Sequence, residues 1–477
     1  MSRCGLWVFL LALGPLLLGL AATVPPFDDE LYYWCWAHDL QLSYYDHPPL
    51  VAYMIRLSTE LLGDTILAVR LPAVISGWVV MMVVGLLSRP RDLLPMIALS
   101  PVMTYAAILV TPDTPLLIFW ALYLAWLIAV QERLARSRRL GWWWPLGGLL
   151  LGCGVLGKYT MGLAAVAGGI SFFVAGQWRR WLAGYLVHAL VALVVASPIL
   201  IHNLQHDFIP IRYQWGHSMS SPQPGFLPFA EFVGVQVLLF GTVPFVVFIW
   251  AIRHARELLS EPRLRVLTCL FALPFAFFLL KATRGRLEGN WAFPCYLACW
   301  PLAAAWYAGV KSSVWGWWAT RAGFALPLGV SAFLTVHLIE PVEWVPMAID
   351  RPTRQWGKLA AVKALAADLQ AVGYSGPVYT TTYQWTALLR WVGIDARQID
   401  GFSRPSHFTT PPQYPRGLPK AIVCADGILP PEVMVGFGPP RVVASYPVLV
   451  RGQPYQQLLW LEYSREPAIS PQTPGAG

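Results

Sequence analysis

Five small groups of ionisable residues stand at the ends of apolar runs in this chain. Asp28, Asp29 and Glu30 directly follow the first run, among Tyr32, Tyr33, Trp34 and Trp36. A carboxylate held beside aromatic rings that restrict water can have its pKa tuned for general-base work. A solvated acid cluster next to a membrane is the plain alternative. Asp46 and His47 lead into Pro48 and Pro49, a rigid helix start whose N–H groups favour an anion. A turn ahead of a helix explains the same residues. Asp113 lies in the hairpin Thr111-Pro112-Asp113-Thr114-Pro115, where it can cap the next helix as well as serve a site. Lys158 lies between two apolar runs with no acidic neighbour in sequence. A lysine at membrane depth is a functional candidate, with snorkelling to the interface as its alternative. The fifth group is Arg284 and Arg286, followed by Asn290 and Trp291, and two such arginines suit an anionic ligand such as phosphate. If these groups converge, they can activate a hydroxyl and stabilise a departing phosphate.

The elements that would position them are membrane helices. Only 12% of residues are charged and 56% are hydrophobic, against about 25% charged in a soluble domain. Such a chain suits lipid as part of its solvent. Apolar windows of about 19 residues fall near 5–24, 66–88, 93–110, 115–131, 142–157, 159–177, 182–201, 230–252, 264–281, 291–310 and 320–339. The first is read as a retained helix rather than a signal peptide, because Pro25-Pro26 follows it instead of a small-residue cleavage site. Basic clusters at 89–91, 133–139, 179–180, 253–265 and 311–321 then share one side, which the positive-inside rule makes cytoplasmic. That distribution also makes the net charge of +9 a topology signal rather than a nucleic-acid footprint. All five candidate groups fall on the opposite side. Segment 25–65 is read as two short amphipathic helices lying on that outer surface.

Beyond residue 340 the composition changes. A helical run at 356–371 is followed by strand-like runs at 377–382, 420–424, 441–450 and 455–463. The expected organisation is a membrane module over 1–339, a soluble α/β domain over 340–465 and a disordered tail over 466–477. The seven cysteines show no zinc spacing. His47 with Asp46 supplies two metal-ligand types, too few to assign an ion, so no cofactor is assigned and a divalent metal stays open.

The runs Asp29-Glu30-Leu31-Tyr32-Tyr33-Trp34, Tyr45-Asp46-His47-Pro48-Pro49-Leu50 and Arg70-Leu71-Pro72 resemble those of glycosyltransferase family 39, the ArnT-like proteins related to protein O-mannosyltransferases. The Thr-Pro-Asp-Thr-Pro hairpin, Gly157-Lys158-Tyr159 and Asn290-Trp291 follow in the expected order, so the resemblance covers about 25–300. More faintly, Tyr383-Gln384 and the run from Arg404 to Phe408 look like the bacterial members. The resemblance implies a GT-C fold of about eleven membrane helices with a periplasmic C-terminal α/β domain. It implies inverting transfer of a sugar from a polyprenyl-phosphate donor to a glycolipid, lipopolysaccharide or protein acceptor at the outer face of a bacterial inner membrane. Asp29 would be the base, with Glu30 beside it, and Asp113 would orient a substrate. Lys158, His47 with Asp46, and Arg284 or Arg286 would hold the lipid phosphate, with Asn290 and Trp291 adjoining. Aminoarabinose transferases tend to carry Glu-Lys-Pro-Pro where this chain has Asp46-His47-Pro48-Pro49, which weakens the fixed positive charge and leaves sugar and acceptor open. A transporter or flippase is the rival, but it would place charges at helix midpoints and show two related halves, neither of which the sequence displays.

Overall fold

The computed structural model describes residues 2–176, 178–219, 225–415, 420–429 and 434–465. Two compact units emerge, one of Met1–Val24 with Trp36–Ile339, the other of Pro25–Cys35 with Glu340–Gly477. The expected division kept all of 25–65 with the membrane module. In the structure 25–35 groups instead with the second unit. The expected tail over 466–477 lies outside the described residues.

The first unit is helical. Six helices are long and apolar enough to cross a membrane: Arg3–Thr23, Ile66–Leu87, Asp113–Ala135, Trp178–Gln205, Pro262–Ala282 and Val314–Leu338. Trp143–Gly157 and Gly162–Ala175 are shorter, and Phe293–Val310 is buried over its first three turns. Two expected spans differ. The run at 230–252 forms Phe226–Phe240 and Val243–Arg253, bent by 108° at Gly241. Gly241 has φ +80°, and a Cβ there would come 2.0 Å from the Gly323 carbonyl oxygen, so both conformation and contact require glycine. The run at 93–110 is broken into Leu94–Ala98 and Pro101–Ala106, since Pro101 cannot continue the preceding helix. A count of eleven is therefore not reproduced by length and apolarity, which yield six spans, or seven with the bent pair, among the described residues.

Small residues set the helix contacts. A Cβ at Gly148 would lie 2.4 Å from the His188 carbonyl oxygen, so Trp143–Gly157 approaches Trp178–Gln205 backbone to backbone. Arg70 is fully buried and its Nη1 donates to the carbonyls of Ala21 (2.8 Å) and Val24 (2.6 Å). It thus satisfies acceptors that the end of the first helix leaves open. The two short helices expected in 25–65 are present as Asp28–His38 and Leu50–Leu62.

The second unit places helix Arg351–Ala371 and helix Tyr383–Trp391 with a five-stranded sheet. Its strands are β1 (Val378–Thr380), β2 (Ala396–Gln398), β3 (Lys420–Ala425), β4 (Arg441–Val450) and β5 (Gln453–Ser464), in the order β2-β1-β3-β5-β4. β1 runs parallel to β2 and β3, with Val378 opposite Ala396 and Ile422, while β5 is antiparallel to β3 and β4. Tyr379, Ile399, Val423, Leu461 and Tyr463 are among its core. The four expected strand runs are found, whereas β2 and helix Tyr383–Trp391 were not anticipated.

Candidate active site

Each unit holds a polar cluster built from expected site residues and partners distant in sequence. In the first unit, Asp113 opens helix Asp113–Ala135 within the hairpin, its backbone N–H donating to Thr111 Oγ1 at 3.2 Å. The start of that helix is held by Ser76 Oγ, which donates to the Thr114 carbonyl at 2.9 Å. Lys158 follows the end of helix Trp143–Gly157 in extended conformation. Its Nζ meets Asp113 Oδ1 at 2.7 Å, both side chains being about nine-tenths buried. Asn290 Nδ2 donates to the other oxygen, Oδ2, at 2.8 Å. Gln236 Nε2 steadies the Asn290 turn by donating to the Gly289 carbonyl (3.0 Å), and Tyr296 in turn donates to Gln236. Three expected site residues, Asp113, Lys158 and Asn290, therefore meet. The ammonium has three donors, of which the Asp113 contact engages one.

The second unit gathers side chains around Asp29. Asp28 and Glu30 are buried, while Asp29 is exposed. Tyr383 donates its phenolic hydroxyl to Asp29 Oδ1 at 2.8 Å. Arg404 lies over the Tyr383 ring at 4.3 Å, and Tyr32 packs against that ring with centroids 4.7 Å apart. Asp28 accepts from Lys358 Nζ (2.8 Å) on Oδ2 and from the Asp29 N–H (3.2 Å) on Oδ1. The sheet explains the placement. Thr382 caps helix Tyr383–Trp391 straight after β1. Gln398, at the end of β2, donates to the Arg404 carbonyl at 3.1 Å, while Ser403 Oγ donates to the Thr381 carbonyl at 2.6 Å. Tyr383 and Arg404 thus issue from the carboxyl ends of adjacent parallel strands, where such sheets commonly present functional side chains.

Crowding by protein raises the Asp29 pKa above the ordinary carboxylate value, and the charge of Asp28 adds to this. The Tyr383 hydrogen bond, Arg404 and Arg351 pull the other way. Although Asp29 is reachable by solvent, protein replaces much of the water around its carboxylate, so exposure and a raised pKa coexist. Burial, followed by the charge of Asp29, pushes the Tyr383 phenol up, so it stays protonated and donates. A reachable carboxylate of raised basicity, oriented by a neutral donor, has the properties of a general base.

The remaining expected residues lie elsewhere. Glu30, only 1% exposed, accepts from the Phe27 N–H at 3.1 Å, so it caps the helix that presents Asp29. Asp46 is buried and its carbonyl accepts from Gln214 Nε2, which also lies 3.5 Å from His47 Nδ1. Arg286 pairs with Glu231 at 2.8 Å, and Arg284 and Arg286 are both exposed. Trp291 sits in the turn beside Asn290, its N–H donating to the Glu288 carbonyl. Among the described residues no three His, Cys, Asp or Glu side chains are grouped to hold a metal ion, and Asp46 with His47 gains no third such ligand. Sequence reading left Lys358 unnoticed, and gave Tyr383 and Arg404 no role.

Residues 46–202 match the family model described as dolichyl-phosphate-mannose-protein mannosyltransferase. The chain is 28% identical over 312 residues to lipid A galacturonosyltransferase RgtD of Rhizobium johnstonii, covering 60% of this chain and 63% of that protein. It is 25% identical over 372 residues to the undecaprenyl phosphate-alpha-4-amino-4-deoxy-L-arabinose arabinosyl transferase of Pectobacterium carotovorum, covering 69% of this chain and 66% of that one. The chain thus spans slightly less than two thirds of each of these curated relatives. The crystal structure of ArnT from Cupriavidus metallidurans bound to undecaprenyl phosphate superposes with TM-score 0.63 at 14% identity, over 96% of this chain and 98% of that one. The resemblance read from the motifs is borne out: this chain has the ArnT fold, of GT-C type, and is similar in sequence to ArnT-like glycosyltransferases.

Proposed function

We propose that this protein is an inverting glycosyltransferase that moves a sugar from a polyprenyl-phosphate donor onto a glycolipid acceptor of the lipid A type. The observation that carries the reading is the Asp29 carboxylate, accessible, raised in pKa and held by Tyr383. In this reading Asp29 removes the acceptor hydroxyl proton as that oxygen attacks the anomeric carbon. The carbon–oxygen bond to phosphate breaks on the opposite face, and polyprenyl phosphate departs with the bonding pair. Lys158, fixed by Asp113, whose other oxygen Asn290 holds, supplies positive charge to that phosphate. The acceptor class rests on the names of the relatives, which include a lipid A galacturonosyltransferase and aminoarabinose transferases.

The proposed location is a bacterial inner membrane, with the N-terminus cytoplasmic and the C-terminal domain periplasmic, a topology of about eleven helices supported by the one-sided basic loops. A periplasm-active reporter fused after residue 340 should be active, and a silent fusion would reject the orientation. The function itself is tested with purified protein in proteoliposomes containing a radiolabelled undecaprenyl-phosphate sugar and lipid A. Labelled acceptor with inverted anomeric configuration is expected. Label that crosses the bilayer without changing its carrier would instead mark a transporter.

A further inference from the structure

The C-terminal unit carries a concavity at the other ends of the strands that present Tyr383 and Arg404. A groove of about 810 Å³ is lined by Lys363, Gln370, Tyr374, Ser375, Trp391 and Asp395, with small residues between. Its walls are two helix C-termini. Helix Arg351–Ala371 closes with Gly373 at φ +67°, the Tyr374 N–H bonding to Leu369 O and the Gly373 N–H to Gln370 O. Helix Tyr383–Trp391 closes the same way, with Gly393 at φ +87°, Ile394 N–H to Leu389 O and Gly393 N–H to Arg390 O. Two Schellman turns thus bring two carbonyl-rich, partially negative helix ends to one groove.

That electrostatic setting decides what fits. Helix N-termini attract phosphate, whereas C-termini disfavour it, and the Asp395 carboxylate at the groove is itself paired with Arg397 at 2.9 Å, leaving Lys363 as the one lysine among the lining residues. Uncharged hydroxyls and protonated amines are favoured. Trp391 and Tyr374 are partly exposed, offering flat apolar surface, while Gln370, Ser375 and Asp395 offer hydrogen-bonding groups around it. Amphipathic rings with polar rims match a pyranose, which has an apolar C–H face and an equatorial belt of hydroxyls. The volume lies within the range of pockets that bury small ligands.

We infer that this groove binds the saccharide part of the acceptor glycolipid, seating a neutral or amino-bearing sugar against Trp391 and Tyr374. The inference rests on the transferase reading for the identity of the ligand, but not for its chemistry. Trp391 also contacts Trp34 edge-on, with centroids 4.9 Å apart, and Trp34 belongs to the helix that presents Asp29. A sugar in the groove is therefore one aromatic contact from the helix carrying the proposed base.

The test uses the full chain in nanodiscs and titration calorimetry with an unphosphorylated glucosamine disaccharide and its bisphosphorylated form. The unphosphorylated disaccharide should bind, and more tightly than the bisphosphate. Trp391→Ala should weaken it about tenfold or more. Because Trp391 also packs against Trp34, the exposed pair Lys363→Ala with Gln370→Ala provides a second variant, expected to weaken binding without lowering the melting temperature. In transfer assays both variants should raise the acceptor KM while leaving kcat and the donor KM unchanged. No disaccharide binding, tighter bisphosphate binding, or unaltered binding in both variants would overturn the inference. Disaccharide binding without any transfer would retain the saccharide groove while rejecting the enzymatic reading.

Discussion

The two polar clusters solve opposite problems with the same residue types. In the first unit Asp113 is met directly by a cation, Lys158, and by the amide of Asn290. Its charge is spent on fixing the lysine. In the second unit Asp29 is met by a neutral phenol, while the direct cation, Lys358, is given to the neighbouring Asp28. One acid is thereby held as a counter-ion and the other is oriented by a neutral donor. Sequence reading already gave the two aspartates different expected roles, and folding adds the partners that distinguish them physically.

The contrast can be broken most severely at Asp29. Asp29→Asn should lower turnover by roughly 10²–10⁴-fold, the usual contribution of a positioned acid or base. The same change should not lower thermal stability at neutral pH. A carboxyl whose pKa rises on folding contributes stability that is full below its unfolded value and is lost as pH climbs through the folded value. Asn removes that loss. A protein that melts several degrees lower in calorimetry would contradict this sign.

Lys158→Ala should reduce transfer by about 10²–10³-fold, as for loss of one preorganised donor. It should also destabilise the fold by about 3 kcal/mol, because it strands the largely buried Asp113 carboxylate. Combining Lys158→Met with Asp113→Asn should restore much of the melting temperature and none of the activity. Recovery of activity in the double variant would remove the lysine from catalysis.

The partners of the second unit sharpen the comparison through pH. Tyr383→Phe deletes a donor that favours the charged form, so the acid limb of kcat should move to higher pH. Lys358→Met should move it the same way by leaving Asp28 uncompensated beside Asp29. A limb that stays in place in both would mean that another group governs it. Arg286→Gln should have the smallest effect, since its pair with Glu231 is solvent-exposed. Turnover and melting temperature should both stay close to wild type.

The sequence made the membrane helices readable because apolar runs, prolines and basic loops are local signals. It also made Asp29, Asp113 and Lys158 readable, because charge at the edge of lipid is conspicuous. What it hid was non-local or conformational. The 108° bend depends on Gly241 meeting Gly323, a contact of 82 positions' separation that an unbroken hydropathy profile conceals. Lys358 and Tyr383 look like ordinary residues of a soluble helix until the fold sets them against Asp28 and Asp29, more than three hundred positions away. The surface pair of Arg286 with Glu231, 55 positions apart, is likewise a partner that sequence does not announce.

The central claim is that Asp29 acts as the base, and single-turnover transfer measured against pH in wild type and Asp29→Asn tests it most directly. The account predicts a wild-type rate that rises through an acid limb above the ordinary carboxylate value of 3.8, and a variant that is slow with that limb abolished. A variant that keeps both the rate and the limb would contradict it.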